Sequence, residues 1–135
     1  MDKKPKVLVV EDSKDIRDII CLALAMIGIE TIEAHHAQDG FQTLEQTPDI
    51  DLITTDMEMV GGHGHDLVSA VRADEHYDRI PVLIVSGNHG DAEEGLSLGA
   101  NAALGKPFSI EELQTAVQNL LAKAKANATA PVSHA

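Results

Sequence analysis

Short apolar runs alternate with helix-period segments along most of this chain. Val7-Leu8-Val9-Val10 runs into Glu11-Asp12, Leu52-Ile53-Thr54-Thr55 into Asp56, and Val82-Leu83-Ile84-Val85 into Ser86. Unbroken runs of β-branched and aliphatic residues predict strands buried on both faces. The predicted strands are Lys6–Val10, a weaker Glu30–Ala34, Asp51–Thr55, Val82–Val85 and a short Ala102–Leu104. Between them, Ile16, Ile19, Ile20, Ala23, Leu24 and Ile27 form a helical stripe over Ser13–Ile27, which Gly28 terminates. A second helix is predicted over Ala37–Gln46, a third over His65–Ala73 after a flexible loop of Gly61, Gly62 and Gly64, and a fourth over Asp91–Leu98, closed by Gly99. Ser109-Ile110-Glu111-Glu112 reads as a capping box that opens a fifth helix running to Lys125.

This alternation predicts one α/β domain over residues 1–125: a doubly wound, five-stranded parallel sheet with strand order 2-1-3-4-5. The small, polar segment 126–135 is expected to be a disordered tail. In such a sheet ligands bind beyond the carboxyl ends of the strands, at the switch point. Strands one and three are neighbours in this order, so Glu11, Asp12 and Asp56 are expected to meet there.

Composition narrows the picture. Aromatic residues make up only 2% of the 135, so the core must be aliphatic. A net charge of −12 argues against a nucleic-acid or anionic-membrane surface, because phosphate binding rests on Lys and Arg. The single cysteine, Cys21, cannot form an internal disulfide and fits a reducing compartment. No apolar run approaches the ~18 residues of a membrane span. A cytoplasmic protein is the expectation.

Carboxylates at one strand edge repel one another: unit charges ~4 Å apart cost ~4 kcal/mol at an effective dielectric of 20. A cation should compensate, and oxygen-only ligands favour a hard divalent ion, Mg²⁺ above all. A carboxylate so placed can also act as a nucleophile toward phosphorus. Lys106 and a hydroxyl such as that of Ser86 could then spread the charge of the transferring group.

The motifs Val7-Leu8-Val9-Val10-Glu11-Asp12, Asp56-Met57-Glu58-Met59, Val82-Leu83-Ile84-Val85-Ser86-Gly87, Gly99-Ala100 and Gly105-Lys106-Pro107-Phe108 together resemble a response-regulator receiver domain, stand-alone and chemotaxis-regulator-like, over about residues 6–122. The resemblance implies a flavodoxin-like (βα)5 fold. It implies Asp56 as phospho-acceptor, Glu11 and Asp12 as the metal-binding acid pair, and the Glu58 carbonyl as a further Mg²⁺ ligand. Ser86 corresponds to the switch hydroxyl and Lys106 to the phosphate-pairing lysine, and the Lys106-Pro107 peptide is commonly cis. The implied partners are a histidine kinase or histidine phosphotransfer domain, docking near helix one, and an unknown protein target. The implied activity is confined to the chain's own phosphorylation and dephosphorylation. Three positions depart from the family: Val60 replaces a usual proline, Ala103 the usual switch Tyr or Phe, and Gly105 a common Thr.

Taken singly, these residues have plainer readings. A strand-ending Asp is often a turn former, and Glu11-Asp12 could simply favour a helix N-terminus. His63-Gly64-His65 suggests a metal pair but, in a glycine-rich loop with no third ligand, reads as solvated. Cys21, Met57 and Met59 read as packing residues. Two other functions stay open: a haloacid-dehalogenase-type phosphohydrolase, which also uses a strand-end Asp and Mg²⁺, and a degenerate receiver that binds partners without phosphorylation.

Overall fold

The computed structural model describes residues 3–59 and 62–129. Its elements in chain order are β1 (Lys6–Val10), α1 (Lys14–Ala25), β2 (Glu30–Ala34), α2 (Ala37–Gln46), β3 (Leu52–Thr55), β4 (Glu58–Met59), β5 (Gly62–His63), α3 (Gly64–Ala73), β6 (Val82–Ser86), α4 (His89–Ser97), β7 (Ala102–Gly105) and α5 (Ile110–Thr129). The main sheet is parallel, with order β2-β1-β3-β6-β7. Counting only its own five strands, that is the predicted 2-1-3-4-5.

The unbroken apolar runs are explained by burial on both faces. Leu8, Val10, Ile53, Val82 and Ile84 belong to a core with Leu44, Leu67, Val68 and Val71 of α2 and α3. Val7, Val9, Leu52, Leu83 and Val85 face the other way, against Ile20 and Leu24 of α1 and Leu113 and Val117 of α5. Every residue of β3 and β6 is buried, whereas the edge strand β7 alternates. Cys21 is half-buried against the second core, as its packing reading requires.

The terminal signals act as expected. Ser13 caps α1, its Oγ accepting from the Ile16 amide. Gly28 and Gly99 adopt positive φ just past α1 and α4, which glycine does without steric cost. The capping box is reciprocal: Ser109 Oγ accepts from the Glu112 amide and Glu112 Oε1 from the Ser109 amide, each at 3.0 Å. The Lys106-Pro107 peptide is cis.

Several boundaries differ from the sequence reading. Helix α1 ends at Ala25 rather than Ile27. Helix α4 begins at His89 rather than Asp91, because Asn88 Oδ1 caps it by accepting from the Asp91 amide. Helix α5 runs past Lys125 to Thr129; the remainder of the expected tail, 130–135, lies outside the described residues. The expected flexible glycine loop contains the β4–β5 antiparallel pair, Glu58 opposite His63, with Val60 and Gly61 outside the described residues. Gly64 is buried at the start of α3, and a Cβ there would collide with the Asp56 carbonyl oxygen and lie 2.9 Å from Met57 Cα. Gly64 therefore serves close packing, not mobility. Ile19, placed on the apolar stripe of α1, is 48% exposed and shares an outer face with Leu22 and Met26.

Candidate functional site

Sheet register builds the site. Val10 is paired with Thr55, and the Asp56 amide donates to the Val10 carbonyl at 3.1 Å. The next residues, Glu11 and Asp56, thus leave adjacent strands side by side. On the other side, Ser86 is paired with Gly105, and the Lys106 amide donates to the Ser86 carbonyl at 3.0 Å. The sheet edge so collects residues about 95 positions apart.

Lys106 joins the two halves. Its Nζ donates to Glu11 Oε1 at 2.7 Å and to Asp56 Oδ2 at 3.0 Å. Glu11 is 1% exposed and Asp56 8%, so these are buried charges that need partners. Asp12 is exposed at the rim, and carboxylate oxygens of Glu11, Asp12 and Asp56 lie within 4.8 Å of one another. The other Asp56 oxygen, Oδ1, accepts from the Glu58 amide at 3.2 Å. The Ser86 hydroxyl is buried and turned toward the next loop, accepting from the Asn88 amide at 3.2 Å and donating weakly to the Asn88 carbonyl at 3.5 Å.

Burial pushes the Glu11 carboxyl above its ordinary range, against the pull of Lys106. For Lys106 burial acts to lower the ammonium pKa, but hydrogen bonds and charge from Glu11 and Asp56 outweigh it and raise it. The lysine is held as a cation. An all-oxygen cluster of this spacing suits a hard divalent ion: each carboxylate offers an oxygen, and one ammonium does not neutralise all of them.

The structure brings together Glu11, Asp12, Asp56 and Lys106, with Glu58 adjacent through its amide. Ser86 sits at the end of the neighbouring strand with its hydroxyl hydrogen-bonded to the Asn88 backbone. Sequence reasoning missed Arg17. This residue is buried, donates from Nη1 to the Glu11 carbonyl at 2.8 Å and from Nε to Glu33 Oε1 at 3.0 Å, and so fixes the backbone that carries the acid pair. The signal was available: Arg17 is a cation beside the Ile16–Ile20 stripe, in the first turn of the helix that follows the strand. Ala103 is exposed on β7 opposite Ile84. Met57 is fully buried, as the packing reading holds, while the side chain of Met59 lies outside the described residues.

Comparison with known proteins gives a consistent answer. A family model described as the response regulator receiver domain matches residues 7–118. The chain is 34% identical over 119 residues to chemotaxis protein CheY1 of Helicobacter pylori, covering 86% of this chain and 96% of that protein. It is 33% identical to the CheY homolog of Campylobacter jejuni, over 86% of this chain and 92% of that one. Among solved structures, the chemotaxis response regulator CheY4 of Vibrio cholerae superposes with a TM-score of 0.81 at 29% identity, covering 87% of this chain and 99% of that one. A response regulator receiver protein from Pseudomonas putida gives 0.80 at 30% identity, covering 88% and 99%.

Proposed function

The chain belongs to the response regulator receiver family, and from that premise we infer that it is a phosphorylation-controlled switch whose acceptor is Asp56. That membership favours this reading over the phosphohydrolase alternative. The observation that carries the reading is the bridging of Glu11 and Asp56 by Lys106 beside Asp12. This arrangement places a nucleophilic carboxylate, a cation and further metal-ligating oxygens in one pocket.

The phosphoryl group would come from a phosphohistidine on a histidine kinase or phosphotransfer domain, or from a small phosphodonor. The N–P bond breaks as an Asp56 oxygen bonds to phosphorus, and the histidine leaves with its electron pair. Glu11, Asp12, Asp56 and the Glu58 carbonyl would hold Mg²⁺. When bound, the ion supplies charge neutralisation for the approaching phosphoryl oxygens. Lys106 already sits 3.0 Å from Asp56 Oδ2 and would pair with the phosphoryl anion. Ser86 must leave its Asn88 contacts to donate to a phosphoryl oxygen, and Asn88 caps α4. Phosphorylation and the start of α4 are thereby coupled through one side chain. Ile19, Leu22 and Met26, exposed along α1, support docking of the phosphodonor on that helix. Output would pass through protein contacts, with no chemistry on other substrates.

Intact mass after incubation with acetyl phosphate and Mg²⁺ tests the reading. The expected result is one phosphoryl adduct, suppressed by EDTA and absent in Asp56→Asn. An undiminished adduct in that variant overturns the assignment. No adduct in the wild-type chain would favour the phosphorylation-independent binding module.

A further inference from the structure

We propose that His65, Asp91 and Glu94 form a second metal site, specific for a nitrogen-accepting divalent transition ion such as Zn²⁺ and separate from the acid pocket. In sequence, His65 lacks a third ligand, but the fold supplies two carboxylates from α4. His65 Nε2 lies 3.0 Å from Glu94 Oε2, and one ligand atom from each of the three residues falls within 4.8 Å of the others. Ligands about 2.0–2.1 Å from a tetrahedral Zn²⁺ stand about 3.3 Å apart. The His65–Glu94 pair already has that spacing, and Glu94, 58% exposed, is free to adjust.

An independent observation points the same way. Asp91 Oδ2 is buried, yet no hydrogen-bond donor reaches it among the described residues. A buried carboxylate oxygen normally has a partner, and a bound ion is one standard partner for an oxygen that no donor reaches. The placement is also rigid. Asp91 and Glu94, three residues apart, lie on one face of α4, and the Asp91 amide is tied to Asn88 Oδ1 at 3.1 Å. His65 follows Gly64, which is packed against the backbone of Asp56 and Met57.

The donor set separates the two sites chemically. Glu11, Asp12 and Asp56 offer oxygen alone, suited to Mg²⁺. One imidazole with two carboxylates favours Zn²⁺, Co²⁺ or Ni²⁺. Three protein ligands leave a fourth position for water. An ion there joins the first turn of α3 to α4, the helix that starts directly beyond Ser86, Gly87 and Asn88.

Calorimetric titration of the full chain with Zn²⁺, in excess Mg²⁺ to fill the acid pocket, tests the site. The expected result is one saturable Zn²⁺ per chain, weakened at least about tenfold by His65→Gln and also by Asp91→Asn and Glu94→Gln. His76→Gln, at an exposed histidine elsewhere, should bind as the wild type does. Co²⁺ should give the visible band of a four-coordinate ion in the wild type and lose it in His65→Gln. Melting curves in EDTA confirm that each variant is folded. Absence of saturable binding, suppression by Mg²⁺, or equal affinity in His65→Gln overturns the proposal.

Discussion

Lys106 bridges two buried carboxylates at once, at 2.7 and 3.0 Å. The balance is unequal, because two anions share one cation and burial raises the Glu11 pKa. A group whose folded pKa is raised contributes stability that is fully present below its unfolded pKa and is lost as pH rises through the folded value. Ionised Glu11 is therefore a cost to the fold at neutral pH. Glu11→Gln should raise thermal stability at pH 7, and the gain should vanish in acid, where Glu11 itself is neutral. Equal or lower stability of the Gln variant at pH 7 would contradict this. Removing the cation has the opposite sign. Lys106→Ala leaves Glu11 and Asp56 facing each other unneutralised, a loss of about 3–5 kcal/mol without metal, and Mg²⁺ should restore much of it in thermal melts. The raised Lys106 pKa gives the matching alkaline limb: its contribution holds below the ordinary lysine range and fades as pH climbs through the raised value.

Helix α4 packs on the sheet through Gly95, its one buried residue. A Cβ at Gly95 would collide with Ile84 Cδ1 and come within 3.2 Å of Met57 Cε, while one at Gly64 would come within 3.0 Å of Met57 Sδ. Met57 is thus packed between α3 and α4, directly after the candidate acceptor. Gly95→Ala should cost about 1–3 kcal/mol by overpacking in denaturant melts; Gly64→Ala should cost more, since backbone atoms of Asp56 and Met57 cannot yield as a side-chain end can. A signalling route also follows at this scale. Ala103 has no rotamer to swing, and Ser86 is bonded to the residue that caps α4. Beryllofluoride with Mg²⁺ should shift the amides of residues 57–65 and 87–91 and of the first turn of α4 strongly, and those of α5 weakly. Changes centred on β7 would sink this route. Ala103→Tyr should alter the response while leaving phosphorylation in place.

Across the whole molecule, the long-range ties matter as much as the core. Arg72 at the end of α3 donates to the carbonyls of Gly99 at 2.8 Å, Ile80 at 2.8 Å and Asp78 at 3.1 Å, and to Asn101 Oδ1 at 2.7 Å. Arg72→Ala should destabilise the domain by about 2–4 kcal/mol in chemical denaturation, because it strips several carbonyls of their donor. A change below ~0.5 kcal/mol would show that water replaces it. Among the described residues no helix is long and apolar enough to cross a membrane. Much of this was legible beforehand because the signals are local. Apolar runs mark strands buried on two faces, Ser109 and Glu112 can cap only a helix, and the parallel order carries Glu11 and Asp56 to one edge. Burial, side-chain direction and contact between distant segments are not local. The sequence could list Lys106 as a candidate cation but not its grip on both carboxylates, and it could not join His65 to Asp91 and Glu94. Nor could it show that Gly64 serves packing, that Ile19 faces outward or that Arg17 and Arg72 hold backbone. A residue's type and spacing set which element it joins; only the packing of elements decides what that residue then touches.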